Sequence, residues 1–265
     1  MLRSMYSGIS GMKGFQTKLD VVGNNIANVN TTGFKKGRVT FQDMISQTTS
    51  GAQASTANRG GINPVQVGLG SKVGSIDNVH TEGFSESTGR GLDLAIDGNG
   101  MFVVEDGDTR YYTRAGNFYL DDNGTLVNAD GYRVQSVEGN DITIPIDNVQ
   151  SYSISENGVI NIVDENGDPS EVATIGLANF SNPEGLEKIG NNLYRNSANA
   201  GLEATLSQPD DEGVGKVVEG FLEMSNVDLA EEFTEMIVSQ RGFQANTRII
   251  TTSDEILQEL VNLKR

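Results

Sequence analysis

Long apolar stripes at helical spacing occupy both ends of this 265-residue chain. Within each stripe, apolar residues recur at intervals of three and four, or at multiples of these. The stripes comprise Leu2, Met5, Ile9, Met12, Leu19 and Ile26 near the start, and Leu229, Phe233, Met236, Phe243, Ile250, Leu257 and Val261 near the end. A lone amphipathic helix cannot bury its own stripe. The two ends must therefore contact each other, other copies of the chain, or both.

The spacing predicts a first helix from residue 2 to about residue 29 and a second helix over 226–263. Three glycines between residues 8 and 14 lower helix propensity by roughly 1 kcal/mol each relative to alanine, so the first helix needs packing to persist. Asn226 or Asp228 is predicted to cap the second helix.

The second helix is apolar around much of its circumference. Outside the main stripe it carries Ile237, Ile249, Ile256, Leu260 and Leu263. Fully burying a large apolar side chain gains roughly 1.5–3 kcal/mol, and little of that gain is available until partners cover these positions. We therefore expect contacts on more than one side of this helix, and ends that are frayed in an isolated copy and ordered on polymerisation.

The sequence between the helices is typical of strands and tight turns. Residues 46–74 are mostly Ser, Thr, Gly, Ala, Gln and Asn, which predicts an extended or mobile connection. From residue 77 to residue 220, short alternating runs are separated by Asn-Gly and Asp-Gly pairs, which tolerate the positive φ of two-residue hairpins. The predicted fold class is α+β, with a mainly-β, hairpin-rich middle between long terminal helices.

Composition argues against several classes of partner. The chain has 36 acidic and 19 basic residues, for a net charge of -17, which opposes binding to nucleic acid or to anionic lipid. Cysteine is absent, so disulfides, thiol nucleophiles and thiolate metal sites are excluded. No segment approaches the ~18 apolar residues of a membrane span, and none has the apolar run of a signal peptide. We expect no membrane insertion and no cleaved signal peptide.

Candidate catalytic and metal sites are weak. Gly68 and Gly70 suggest a nucleotide loop, but no Lys-Ser/Thr pair follows at the required spacing. The acidic turns at 121–124 and 164–168 lack the glutamate that ends an EF-hand loop. His80 is the single histidine, so a multi-histidine metal site or a Ser-His triad would rest on it alone. We predict no catalytic, cofactor-binding or metal-binding residues, no cofactor, and a protein that is not an enzyme.

Gly-Asn-Asn-Ile-Ala-Asn at 23–28, followed by Thr-Gly-Phe-Lys at 32–35, resembles the signature of the bacterial flagellar rod and hook axial proteins. Residues 87–96, residues 220–229 and the helix from 232 to 263 are similar to the same family, so the resemblance spans essentially the whole chain. It implies a self-assembling structural subunit of a tubular polymer. The terminal helices would pair as a coiled-coil-like inner domain lining the channel, and the β domain would face outward.

The implied domains are a terminal helical polymerisation domain of residues 1–30 and 226–265, an extended connecting segment of residues 31–76, and a β-rich outer domain of residues 77–225. The implied partners are many copies of the chain itself, adjacent flagellar axial proteins, the hook cap and the export apparatus. The implied location is the hook or basal body of the flagellum, outside the cytoplasm, after export through the flagellar type III apparatus.

Two sections of the flagellum remain as alternatives. Residues 223–265 resemble the short hook proteins of Gram-positive bacteria, whereas the length is that of a distal rod subunit. Residues 46–70 lack the bulky and proline-containing residues that follow Gln-Thr in many distal rod proteins. These features favour the hook, the universal joint between rod and filament. The distal rod is the alternative, and an extracellular β-rich binding module is a more distant one.

Three asparagines are unusual in the first apolar helix. Polar groups in a coiled-coil seam can fix register by hydrogen-bonding across subunits; an ordinary helix terminus explains Asn28 well but explains Asn24 and Asn25 poorly. The predicted subunit-interface residues are Leu2, Met5, Ile9, Met12, Leu19, Asn24, Asn25, Ile26, Asn28, Phe34, Leu229, Phe233, Met236, Ile237, Phe243, Ile250, Leu257, Leu260 and Val261.

Overall fold

The computed structural model describes residues 2–56, 59–107, 109–145, 149–164, 167–201, 206–211 and 213–263; the side chains of Leu2 and Val149 lie outside the described set. The chain divides into two compact units. The helical unit comprises Met1–Ala27, Gly37–Asn78 and Asp228–Arg265, and the β unit comprises Asn28–Lys36 and Val79–Val227.

Two long helices dominate the helical unit, α1 (Leu2–Ala27) and α2 (Leu229–Leu263). Gly8 lies beside Ile250, and Gly11 beside Asn246. Residue numbers rise along one helix as they fall along the other, so the pair is antiparallel. The prediction of two terminal helices that pair with each other is confirmed.

The start of α2 is set by Asp228. Its carboxylate accepts hydrogen bonds from the backbone N–H groups of Ala230, at 2.8 Å, and Glu231, at 3.3 Å, which satisfies donors that have no partner within the helix. Asn226, the other predicted cap, belongs to the β unit, where it donates to the Val79 carbonyl at 2.8 Å. Among the described residues no helix is long and apolar enough to cross a membrane.

Four strands complete the helical unit: β1 (Gly37–Asp43), β2 (Ser46–Ser50), β3 (Val65–Gly68) and β4 (Ser71–Asn78). β1 pairs with β4 and β2 pairs with β3, both antiparallel, so the segment folds back on itself as a ribbon. The sequence predicted an extended connection over 31–76. The structure instead pairs the two halves of this segment, which supplies partners for backbone groups that an extended chain leaves open, and places residues 37–78 in the same unit as the helices.

The β unit is built from sixteen short strands in the described residues. They are β5 (Ser85–Ser87), β6 (Leu94–Asp97), β7 (Met101–Asp106), β8 (Thr109–Thr113), β9 (Tyr119–Leu120), β10 (Leu126–Val127), β11 (Arg133–Val134), β12 (Val149–Ile154), β13 (Val159–Asp164), β14 (Pro169–Thr174), β15 (Leu177–Ala178), β16 (Glu187–Gly190), β17 (Leu193–Arg195), β18 (Leu206–Ser207), β19 (Lys216–Glu219) and β20 (Phe221–Glu223). A 3-10 helix, Pro183–Gly185, precedes β16.

Nine of these strands form one sheet, in the order β16-β17-β8-β7-β11-β10-β9, with β15 pairing to both β7 and β18. A second sheet has the order β12-β13-β14, and two further pairs join β6 to β19 and β5 to β20. The segment between the helices, in which turn residues separate short alternating runs, therefore folds as the predicted hairpins.

Strand β7 separates two apolar cores because successive side chains of a strand point to opposite faces. Phe102 and Val104 belong to the larger cluster, whereas Met101 and Val103 belong to the smaller one. All four side chains are buried. Phe102 also meets Phe118 edge to face, with ring centroids 5.1 Å apart. The β unit thus buries both faces of its central strand within one copy.

Candidate assembly interface

The covered face of α2 follows a heptad pattern. Large apolar side chains, half-buried, recur every seven residues, and small or polar residues recur every seven residues between them. These positions are Met236, Phe243, Ile250 and Leu257 in the first set, and Glu232, Ser239, Asn246 and Ser253 in the second. A repeat averaging 3.5 residues places a continuous stripe on one side of a helix. We call these eight positions the seam.

Glycines in α1 let the two helices approach closely at the seam. A Cβ atom at Gly8 would lie 3.4 Å from Ile250 Cγ1, and one at Gly11 would lie 3.0 Å from the side-chain nitrogen of Asn246. The residues that weaken the intrinsic propensity of α1 therefore also let α2 pack against it. This is why a helix with several glycines persists in the folded unit.

Asn25 joins three elements of the helical unit. Its amide nitrogen donates to Glu232 Oε2 at 3.1 Å and to the Gly37 carbonyl at 2.9 Å, and its oxygen accepts from the Gly37 N–H at 2.9 Å. We expected this side chain to hydrogen-bond across subunits. In this structure its donor and acceptor are both used within one copy, and the residue is buried. A nearby ion pair between Lys18 and Glu235 adds a second polar link between the helices.

Apolar side chains remain exposed on both sides of the seam. Phe233 and Ile237 each follow a seam position by one residue, and Ile249 and Ile256 each precede one. One residue corresponds to about 100° around a helix, so these two sets lie on opposite sides of the seam. We call them the Phe233 flank and the Ile249 flank; all four side chains are between 43% and 53% exposed.

The predicted interface residues therefore divide into three groups. Half-buried side chains are Met5, Ile9, Met12, Leu19, Ile26, Asn28, Met236, Phe243, Ile250 and Leu257; exposed side chains are Asn24, Leu229, Phe233, Ile237, Leu260 and Val261; and Asn25 and Phe34 are buried. The side chain of Leu2 lies outside the described residues. One predicted stripe on α2 thus serves two surfaces, the intrachain seam and an open face.

Phe34, one of the predicted interface residues, is buried within one copy. It is 4% exposed and packs within the β unit, where the Lys188 ammonium lies 4.0 Å from the centre of its ring. The preceding Gly33 has φ +68, and a Cβ there would lie 2.5 Å from the backbone nitrogen of Ala115. The Thr-Gly-Phe-Lys motif therefore has a role inside one copy: glycine fits the turn and phenylalanine fills the core.

Lys35, the last residue of that motif, takes part in a buried ion triad that the sequence analysis missed. Glu223 accepts from Lys35 Nζ at 2.5 Å and from Arg114 Nη1 at 3.1 Å. Lys35 also donates to the Thr81 carbonyl at 2.7 Å. Burial lowers the pKa of Lys35, and the Glu223 carboxylate opposes that shift. The sequence signal for this triad is a charged residue in each of two family-motif blocks. A search for apolar periodicity alone does not detect it.

The distribution of exposed apolar residues distinguishes the two units. Of the twenty large hydrophobic side chains that are exposed among the described residues, seventeen belong to the helical unit. A concentration of exposed apolar side chains in one unit favours an interaction site there. Within the described ranges, no group of three or more His, Asp or Glu side chains is placed to hold a metal ion.

Three family models match the chain. The model described as "Flagella basal body rod protein" matches residues 5–35. The model of the "Flagellar hook protein FlgE/F/G D1 domain" matches residues 95–162. The model described as "Flagellar basal body rod FlgEFG protein C-terminal" matches residues 218–263. The matches thus fall on α1, on the β unit and on α2.

Curated relatives match over full length. The flagellar basal-body rod protein FlgG of Bacillus subtilis is 62% identical over 265 residues, covering 100% of both chains. FlgG of Borreliella burgdorferi is 40% identical over 270 residues, again covering both chains in full. The flagellar hook protein FlgE of the same organism is 33% identical over 442 aligned residues that also span both chains. This hook relative therefore contains segments without a counterpart here.

A solved structure of the Helicobacter pylori flagellar hook protein FlgE2 aligns with 62% of this chain and 47% of its own, at 18% identity and a TM-score of 0.25. The full-length relatives are sufficient by themselves to establish the family of this chain. The chain belongs to the family of flagellar hook and basal-body rod proteins, which are structural components of the bacterial flagellum.

Proposed function

We propose that many copies of this chain polymerise into a tubular section of the flagellar axis, and that the two flanks of α2 form a main contact between subunits. The observation that carries the proposal is the exposed apolar surface of the helical unit. Each flank side chain is about half exposed, so roughly 1 kcal/mol or more of burial free energy per side chain remains to be gained. Packing against other copies supplies that gain.

The distal rod is the first candidate section. FlgG of B. subtilis, which is named as a basal-body rod protein, matches this chain along its whole length at 62% identity, without added segments. The hook-named relatives align over 442 and 464 residues, well beyond the 265 of this chain. Equal length favours the rod, because inserted segments change the surface that a subunit presents to its neighbours.

The hook is the second candidate, and the ribbon formed by β2 and β3 favours it. Its described residues, 46–56 and 59–68, are exposed and largely small or polar. A two-stranded ribbon is marginally stable by itself, so this arm bends at little cost. A hook must tolerate changes in subunit spacing as it turns, and a soft arm between packed elements provides that tolerance.

Polymerisation is tested by adding a charge to one flank. Ile237→Asp is expected to abolish assembly of the purified chain, because an unpaired carboxylate is costly to bury in an apolar contact. The matched control is Ile189→Asp in β16, since Ile189 is 50% exposed and Ile237 is 53% exposed. Sedimentation and electron microscopy are the measurements. Normal tubes from Ile237→Asp would contradict the proposed surface.

The shape of the polymer distinguishes a rod subunit from a hook subunit. Straight, stiff tubes from the purified chain identify the rod, and curved tubes that change curvature identify the hook. Replacing residues 49–52 by bulky side chains is expected to stiffen a hook-type polymer. Bending stiffness that does not change after this replacement would count against a mechanical role for the β2–β3 ribbon.

The proposal includes delivery outside the cytoplasm without a cleaved signal peptide, and contacts with adjacent axial proteins, the hook cap and the export apparatus. The family membership supports a flagellar location. The N-terminal peptide of the chain isolated from purified flagella is expected to begin at its first encoded residues, as read by mass spectrometry. A processed N-terminus would contradict this route.

A further inference from the structure

A pocket of about 270 Å³ lies in the β unit, outside the helical surface assigned to assembly. Its lining includes His80, Asn99, Arg114, Asn179 and Ser181. Asn179 is held by a hydrogen bond from its amide to the Gly213 carbonyl at 2.8 Å. The pocket therefore presents several polar side chains to a space large enough for a small molecule or an inserted side chain.

Polar atoms beside this pocket lack partners. Both ring nitrogens of His80 are buried without a hydrogen bond, and so is the hydroxyl of Tyr194, whose ring lies 5.5 Å from the His80 ring. Buried polar atoms in native proteins are almost always hydrogen-bonded, and an exception calls for an explanation such as a bound ion or water. A neutral imidazole can donate one hydrogen bond and accept another.

The surroundings of His80 carry excess positive charge. Lys35 and Arg114 share the single carboxylate of Glu223, so the buried triad has a net charge of +1. Burial, together with Lys35, Arg114 and Lys188, lowers the pKa of His80 to about 4, while Glu223 opposes the shift. His80 is therefore neutral at physiological pH. This buried excess of positive charge contrasts with the whole chain, whose net charge is -17.

Arg114 also lines the pocket and has more N–H groups than its three hydrogen bonds within the chain use. It donates to Glu223, to the Ile96 carbonyl at 3.3 Å and to the Gly98 carbonyl at 2.7 Å, whereas a guanidinium carries five N–H groups. Arginine suits carboxylate and phosphate oxygens in particular, because its donors are arranged in a planar fork.

The geometry points to a binding site for a small oxyanion, a carboxylate or a phosphate group, held by the Arg114 guanidinium and the His80 N–H. One oxygen of the anion accepts from His80, and the negative charge balances the excess cation of the triad. The site lies wholly within the β unit and does not depend on the proposed polymerisation. Two sources can supply the group: a free anion, or an acidic side chain of a second copy.

His80 is the only histidine in the chain, so its imidazole signal in a proton NMR spectrum needs no further assignment. The purified full-length monomer is titrated with acetate and with phosphate, against chloride at equal ionic strength. We expect a saturable shift of the His80 signal with at least one oxyanion. A shift that chloride reproduces, or no saturable shift with either oxyanion, would overturn the site.

His80→Phe provides the second readout. The change keeps a ring against Tyr194 and removes two unpartnered buried nitrogens, so the variant is expected to fold at least as stably without the anion. The melting temperature of the unmodified chain should rise with the oxyanion, whereas His80→Phe should bind it about tenfold more weakly. Tyr119→Phe, at an exposed tyrosine elsewhere in the β unit, is the control that should retain the full rise. An equal rise in His80→Phe would contradict the assignment.

Solid-state NMR of the His80 imidazole in the assembled polymer identifies the source of the bound oxyanion. If a neighbouring copy supplies the carboxylate, the signal takes the bound position in anion-free buffer and acetate no longer moves it. If the source is a free anion, acetate still moves it. Both results are consistent with the site already tested in the monomer, and they differ in what fills it.

Discussion

The helical unit and the β unit handle apolar side chains in opposite ways. The β unit buries Phe102, Leu126 and Ile175 completely. It also buries more than twenty other hydrophobic residues. In the described part of the helical unit, Val22 is the only hydrophobic side chain that is fully buried. A single copy is therefore sufficient to complete the core of the β unit, whereas the helical unit leaves many large apolar side chains exposed in one copy.

The seam explains why pairing the helices does not satisfy the helical unit. Every second seam position is small or polar, and the buried Ser239 hydroxyl has no hydrogen-bond partner. Such positions contribute little apolar burial, so the pair gains less than a leucine-rich coiled coil of equal length. The proposed polymerisation accounts for this difference: it predicts a β unit that is stable alone and a helical unit that gains stability on assembly.

The largest contrast is expected from truncating one phenylalanine in each unit. Phe102→Ala removes a fully buried ring and should lower the free energy of unfolding by about 3–5 kcal/mol. Phe233→Ala, at a residue that is half exposed, should change it by less than about 0.5 kcal/mol in the monomer. Denaturant unfolding followed by tyrosine fluorescence is the measurement, and a similar loss in both variants would erase the distinction. In assembly assays the order should be reversed.

Acid is expected to destabilise the β unit through His80. Because the pKa of His80 is about 4 in the folded chain and about 6.5 when unfolded, the unfolded state binds the extra proton first. Stability is unaffected above pH 6.5 and falls by about 3 kcal/mol as the pH drops from about 6.5 to about 4. The test subtracts the pH profile of His80→Phe, which titrates the same carboxylates without the histidine. Parallel profiles across that window would contradict this role.

Closely packed and open glycines of α1 should respond in opposite directions. Gly8→Leu adds a side chain where a Cβ is already 3.4 Å from Ile250, and overpacking should cost the helix pair about 1–3 kcal/mol. A Cβ at Gly23 would meet nothing within 4 Å, so Gly23→Ala should add up to about 1 kcal/mol of helix propensity. Thermal melts followed by circular dichroism at helical wavelengths distinguish the two. A destabilising Gly23→Ala would show that this face of α1 is not open.

The smallest expected effect is at the start of α2. Asp228→Ala removes the acceptor for two backbone N–H groups and should cost about 1 kcal/mol of helix stability. Asp228→Asn keeps an acceptor and should retain most of that stability. The measurement is hydrogen exchange over the first turn of α2, where equal protection in both variants would exclude Asp228 as the cap.

Features with a local cause were predictable from sequence. Helical periodicity identified both helices, and the cap at Asp228 followed from its chemistry and position. Alternation and Asn-Gly turns identified the β region. The apolar residues outside the main stripe of α2 led us to expect more than one contact face; two flanks are exposed in one copy, and contact through them remains a prediction.

Features with non-local causes were not predictable. Asn25 donates to Glu232, which lies 207 residues away in the same chain, and no local pattern marks that pair. Glu223 meets Lys35 across 188 residues and Arg114 across 109, and no sequence period marks such a triad. The pairing of β2 with β3 was missed because polar residues in an exposed ribbon resemble loop sequence.

Hydrogen exchange before and after assembly tests the central claim most directly. In dilute monomer, the amides of α2 should exchange much faster than those of β7 in the β unit. On polymerisation, α2 should gain strong protection while β7 remains unchanged. If α2 in the dilute chain is already as protected as β7, and no concentration or seed produces a polymer, the helical unit is complete in one copy and the account is contradicted.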